Sequence, residues 1–232
     1  MDRPDTDRHG YGGGASFSGG EERPVREERR YSVREERLNW LIHLLGAVVV
    51  LGFGPRILRP GGSCWETAAR IFYWCSMLAM FLASFSYHFV RDPRRKALCR
   101  KFDHCAIYLL ILGTYAPLMA GLLPDWRGAA VMAALLILTV LGVAVKFCFA
   151  SRFHRWEVAV YLLMGWLCLT VIGPIYSRMD RAGFHLLLAG GLTYTLGAVF
   201  YAVKREFFHA VWHILTVAGV ILQLLAALTV EP

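Results

Sequence analysis

Two histidines four residues apart, His209 and His213, open the last apolar stretch of the chain, Phe207-Phe208-His209-Ala210-Val211-Trp212-His213, which then runs to Val230 without a formal charge. On a helix such residues stand on one face, one turn apart, so their imidazoles can hold a single metal ion from one side. A third ligand has to come from another helix at the same depth, and Ser84-Phe85-Ser86-Tyr87-His88 offers one. Three imidazoles with an open fourth position are the ligand set of a catalytic zinc, which acidifies a water towards neutrality. Asp103 is the carboxylate that would orient that water or take its proton. Ser84, one turn from His88 on the same face, would hold the water or a substrate oxygen. A plainer reading, in which these groups cap helix ends or hydrogen-bond between helices, suffices for any one of the histidines. Three at one depth favour the metal.

The remaining histidines divide by position. His9 and His154 fall in polar segments and are read as solvated. His185 starts a span at the opposite end, and His104 points about 100° round its helix from Asp103. His43, with Asn39 one turn before it, enters the first span at the right depth. Three roles stay open for it: a partner to a metal ligand, a substrate contact, or a hydrogen bond between helices. Tyr108, Tyr115 and Tyr201 are read as packing aromatics whose hydroxyls seek a partner.

The elements that must position these groups are membrane helices. Of 232 residues 56% are hydrophobic and 18% charged, and the mean hydropathy is +0.45, the composition of an integral membrane protein. The net charge of +8 does not point to nucleic acid, because the basic residues sit between apolar runs, where membrane proteins place them. The six cysteines form no CxxC pair and read as small packing residues. Residues 1–37 are polar, Gly-rich and of mixed charge, and are expected to be a disordered tail; no apolar signal region occurs there, so the first span is expected to direct insertion. Residues 38–232 form the membrane domain. Apolar runs at about 38–57, 66–90, 104–123, 129–150, 156–176, 183–203 and 207–230 predict an all-α bundle of seven transmembrane helices. Pro117 and Pro174 are expected to kink their spans, and Gly190, Gly191 and Gly197 to allow close helix approach. Nineteen Lys and Arg fall on the side of the N-terminus and six on the other, predicting a cytoplasmic N-terminus and an extracytoplasmic C-terminus. On that topology His88, His209, His213 and Asp103 all lie near the cytoplasmic interface, with His209 and His213 about 3 and 9 Å into the last span. The basic run Arg91-Asp92-Pro93-Arg94-Arg95-Lys96 is read as a loop over the mouth of the site, chiefly a topology determinant.

Several pieces in order resemble the haemolysin III family, the bacterial branch of the progestin and adipoQ receptor superfamily, which includes the adiponectin receptors. They are Asn39-x-x-x-His43, Ser84-x-x-x-His88, Lys101-Phe102-Asp103-His104-Cys105-Ala106-Ile107-Tyr108, Gly113-Thr114-Tyr115-Ala116-Pro117, Gly197-Ala198-Val199-Phe200-Tyr201 and His209-x-x-Trp212-His213. The resemblance covers residues from about 35 to 230. It implies a seven-helix bundle with a zinc ion held by His88, His209 and His213, and with Ser84 and Asp103 near a water on the metal. Gln223 stands where many bacterial relatives are expected to carry a polar residue or histidine. The resemblance further implies chemistry on ceramide-like amides, as in the related receptors and the distantly related alkaline ceramidases, or a part in membrane lipid homeostasis. The leading expectation is therefore a zinc-dependent hydrolase of a lipid amide or ester in a bacterial inner membrane, with membrane lipids as partners and a lipid substrate in the bundle. The alternatives are a receptor or regulator with structural zinc, which needs a fourth protein ligand, and a cytolytic pore. No span carries the polar stripe of a pore.

Overall fold

A computed structural model describes residues 31–148, 156–203 and 205–230. The expected disorder of the tail falls mainly on residues 1–30, and the solvated His9 and His154 likewise lie outside the described residues. The helices are α1 (Val33–Gly52), α2 (Gly54–Ile57), α3 (Cys64–Phe89), α4 (Pro93–Leu122), α5 (Trp126–Cys148), α6 (Glu157–Gly165), α7 (Ile172–Arg178), α8 (Arg181–Ala202) and α9 (Phe208–Leu228), with a 3-10 turn, Trp166–Val171, joining α6 to α7.

Local chemistry sets where these helices begin. Ser32 and Glu35 form a reciprocal capping box at the start of α1, as do Ser63 and Glu66 at α3, each satisfying two otherwise unpaired backbone donors. The tail boundary expected at residue 37 therefore falls inside α1. Asp92 caps α4 through the amide of Arg95, and Pro93 supplies a first-turn residue with φ already helical. Helix α4 thus starts well before residue 104, and Arg94, Arg95 and Lys96 form its first turns instead of a loop.

Among the described residues six helices, counting α6 through α7 as one broken span, are long and apolar enough to cross a membrane. Helix α1 is not among them, because Arg34, Glu35, Glu36 and Arg37 crowd its first turns. Its outer face is nonetheless apolar and exposed at Leu41, Leu45 and Val48, as are Leu136, Ile137 and Val140 on α5 and Leu192, Leu196 and Val199 on α8, an inside-out pattern suited to lipid. The most enclosed span is α4, 67% buried over its apolar window against 39% or less for the others, so the bundle packs around it.

Small residues let these helices approach. A Cβ on Gly197 would meet Trp212, one on Gly190 would meet Gln223, and one on Gly113 would meet Ser76, so α8–α9 and α3–α4 pack nearly backbone to backbone. Gln223, seated on Gly190, donates to the Leu187 carbonyl at 3.0 Å. Pro117 lies within the unbroken α4. The fifth apolar span breaks at the 3-10 turn, which lies ahead of Pro174. There the Tyr115 hydroxyl of α4 donates to the carbonyls of Met164 (3.0 Å) and Gly165 (2.7 Å) and accepts from the Cys168 amide at 2.8 Å. One side chain thus satisfies the groups that the break frees.

Candidate metal centre

The start of α1, the end of α3, and the starts of α4 and α9 meet at one end of the bundle, and contacts between them fix the site. The amide of Phe207, a left-handed residue at φ 60° just before α9, donates to the Glu35 carboxylate at 2.6 Å. That sets the height of α9 against α1. Two residues on comes His209, and one turn later His213.

His88, His209 and His213 are all buried, and one ring nitrogen of each lies within 4.8 Å of the other two. Tetrahedral ligands about 2.0 Å from zinc stand about 3.3 Å apart, so the group needs little change to close on one ion. The Nε2 atoms of His88 and His213 are 3.0 Å apart. Tyr31 stacks on the His209 ring, with centroids 4.6 Å apart and planes 21° from parallel, and covers it from the chain-entry side. The three residues selected from helical spacing and depth are brought together.

Ser84 is buried one turn from His88, and its Oγ has no hydrogen-bond partner among the described residues. An unsatisfied buried hydroxyl one turn from His88 fits a bound water or ligand oxygen better than a filled core. Asp103 is partly exposed on α4 and is not one of the groups whose ligand atoms converge. It lies within electrostatic range of Tyr87 and Tyr201, whose rings pack on His88 and His209 with centroids 4.5 and 5.8 Å away.

Two contacts extend the group onto α1. Nε2 of His43 is 2.7 Å from Nδ1 of His213, and Oε2 of Glu36 is 2.7 Å from Nδ1 of His88. Asn39, fully buried between them, approaches the same His88 nitrogen at 3.5 Å. Of the roles open for His43, the contact is a hydrogen bond to one of the three histidines. Glu36 went unnoticed as a site residue because it sits in a charged run. Its signal was the spacing Glu36-x-x-Asn39-x-x-x-His43, which puts all three on one stripe of a helix. The second Glu36 oxygen takes Lys96 Nζ at 2.8 Å. Burial would raise the Glu36 pKa, but the hydrogen bonds to His88 and Lys96 more than offset this and hold it below the usual carboxylate value.

His104 stands apart, in a cluster where Lys146 Nζ meets Glu157 Oε1 at 2.6 Å and His104 Nδ1 meets Glu157 Oε2 at 2.8 Å. Lys146, counted among the loop charges, is a buried residue of α5.

A family model described as "Haemolysin-III related" matches residues 31–224. The chain is 33% identical over 193 residues to the hemolysin-3 homolog of Bacillus subtilis (strain 168), covering 82% of this chain and 91% of that one. It is 34% identical over 194 residues to hemolysin-3 of Bacillus cereus, covering 81% and 87%. The human monocyte to macrophage differentiation factor is 26% identical over 194 residues, covering 78% and 77%. No solved structure matches the chain. Six apolar helices and these relatives make it a multi-pass integral membrane protein, and its bacterial relatives fit a place in a bacterial inner membrane. The chain belongs to the haemolysin III-related family, within the progestin and adipoQ receptor superfamily.

Proposed function

We propose that this protein is a zinc-dependent hydrolase of a lipid amide or ester, acting in membrane lipid homeostasis. The observation that carries the reading is a buried group of three imidazoles, His88, His209 and His213, beside the unpartnered hydroxyl of Ser84. A structural zinc would call for a fourth protein ligand, and among the described residues the group holds three, which favours catalysis over a purely structural metal. Bound there, zinc would polarise a carbonyl and acidify a water. Ser84 then holds the water or the substrate oxygen by hydrogen bond, and Asp103 receives and returns the proton. The lipid enters from the membrane with its polar head at the histidine end.

In this reading α1 is a seventh span despite its charged first turns, and the histidine end faces the cytoplasm, because nineteen Lys and Arg lie on that side against six on the other.

The test is the metal content of detergent-purified protein, prepared without chelators, followed by hydrolysis of ceramide-type amides and lipid esters. The expected result is about one zinc per chain in the wild type, lost in His209→Ala/His213→Ala and kept in Asp103→Ala, with turnover lost in both. A metal-free wild type would overturn the reading.

A further inference from the structure

Glu36 and His43 are outside the three-histidine group, yet they meet His88 and His213 at the ring nitrogens opposite those by which these two face each other. We propose that Glu36 and His43 are positioning residues that decide which nitrogen His88 and His213 present to a metal. The inference rests on the metal reading above.

A neutral imidazole carries its proton on one nitrogen and a lone pair on the other, and only the bare nitrogen can bind a metal. The Glu36 carboxylate, paired through its other oxygen with Lys96, offers an acceptor to His88 Nδ1 at 2.7 Å, which puts the proton on that nitrogen. Nε2 of His88 is left bare. It faces Nε2 of His213 at 3.0 Å, and two bare nitrogens repel unless something positive lies between them. His213 resolves this in one of two ways, and His43 chooses between them.

In the first, His43 Nε2–H donates to His213 Nδ1, and His213 Nε2–H donates to His88 Nε2. Protons then run in one direction from His43 to Glu36, and no metal is required. In the second, His213 carries its proton on Nδ1 and donates to His43 Nε2, whose own proton sits on Nδ1. Both facing Nε2 atoms are then bare and available to a cation. The two states hold the same number of protons, so the switch is tautomeric and changes no charge. His43 Nδ1 is buried without a hydrogen-bond partner among the described residues, so the second state leaves a donor unsatisfied unless the metal compensates. His43 therefore acts as donor without metal and as acceptor with it. Lys96, on the other Glu36 oxygen, holds that carboxylate in place.

The test is cobalt(II) binding to the full-length, metal-stripped protein in detergent, read by the visible absorption of tetrahedral cobalt and by competition with zinc(II). The wild type is expected to take up about one ion per chain. Glu36→Ala and His43→Leu should each bind about 10–100-fold more weakly. Glu36→Gln and His43→Gln keep a hydrogen-bonding oxygen and should recover part of that loss. Glu36 is partly exposed, so its variants test the proposal even where a change at the buried His43 impairs folding. Wild-type binding with Glu36→Ala and His43→Leu within twofold of it would overturn this inference and leave the metal site standing. Equal losses in the Gln and the Ala or Leu variants would also overturn it, since packing alone would then explain them. A wild type that binds neither ion would remove this inference together with the metal reading.

Discussion

Glu35 holds the backbone of Phe207 across 172 positions of sequence, its Oε1 2.6 Å from the Phe207 amide while Oε2 accepts from Ser32 at 3.0 Å. One carboxylate closes the cap of α1 and pins the entry to α9, so the two histidines of α9 inherit their height from a residue on the first helix. Glu35→Ala should remove a cap worth about 1 kcal/mol and also release Phe207. A lower apparent Tm in detergent and weaker cobalt uptake are the expected readouts; unchanged values in both would show that α9 finds its height without this contact.

Phe207 itself adopts φ 60°, in the left-handed region that costs a non-glycine residue about 1–2 kcal/mol. Phe207→Gly removes that cost while keeping the amide that donates to Glu35, and the ring is largely exposed. A rise in apparent Tm is expected, offset in part by the greater backbone freedom of glycine in the unfolded chain.

Tyr115→Phe keeps the ring and deletes the hydroxyl that serves the carbonyls of Met164 and Gly165 and the amide of Cys168. Leaving buried backbone groups unpaired costs about 1–3 kcal/mol. The change should appear as a lower Tm and faster hydrogen exchange confined to residues 164–171. Exchange that rises evenly through the bundle would argue against a local role.

At Gly113 a Cβ would collide with Ser76 Oγ and sit 2.8 Å from Ser76 Cβ. Gly113→Ala should destabilise by forcing α3 from α4, and Ser76→Gly in the same chain should restore much of the loss. Thermal melts of the two single variants and the double variant give the coupling directly.

Lys146 and Glu157 make a buried pair, with side chains 4% and 11% exposed. Removing one partner of such a pair typically costs about 3–5 kcal/mol, whereas replacing both with apolar residues costs far less. Lys146→Met should therefore lower the Tm more than Lys146→Met/Glu157→Leu does. The reverse order would mean that His104 alone compensates Glu157.

Helical geometry made the meeting of three histidines legible in the sequence. A fixed rise per residue converts a position in a span into a depth, and His88, His209 and His213 shared one. Depth says nothing about neighbours round the bundle, so His43 had several possible roles until its 2.7 Å contact with His213 was visible. Glu36 was hidden by its own charge. In sequence it belongs to a run of acids and bases, and only the buried imidazole opposite sets it apart. Lys146 misled for the converse reason, since a lysine at the end of an apolar run reads as a flanking charge unless its partner, Glu157 across a turn, is known. Pro174 predicts a kink in the fifth apolar span, whereas the chain departs from the α-helix earlier, at Trp166–Val171. The residue that makes the departure tolerable is a tyrosine on another helix.

The histidine group draws His88 from α3 and both other members from α9, the last helix described, while the groups that hold them lie on α1. Such a centre cannot assemble progressively as the chain is made. A ribosome that has delivered everything up to residue 206 has produced one imidazole of the three, together with an α1 whose Glu35 has no Phe207 amide to hold. Capture of an ion would thus wait until α9 had been made and had returned to α1, and the loaded ion would mark a chain in which those two helices had correctly closed on each other.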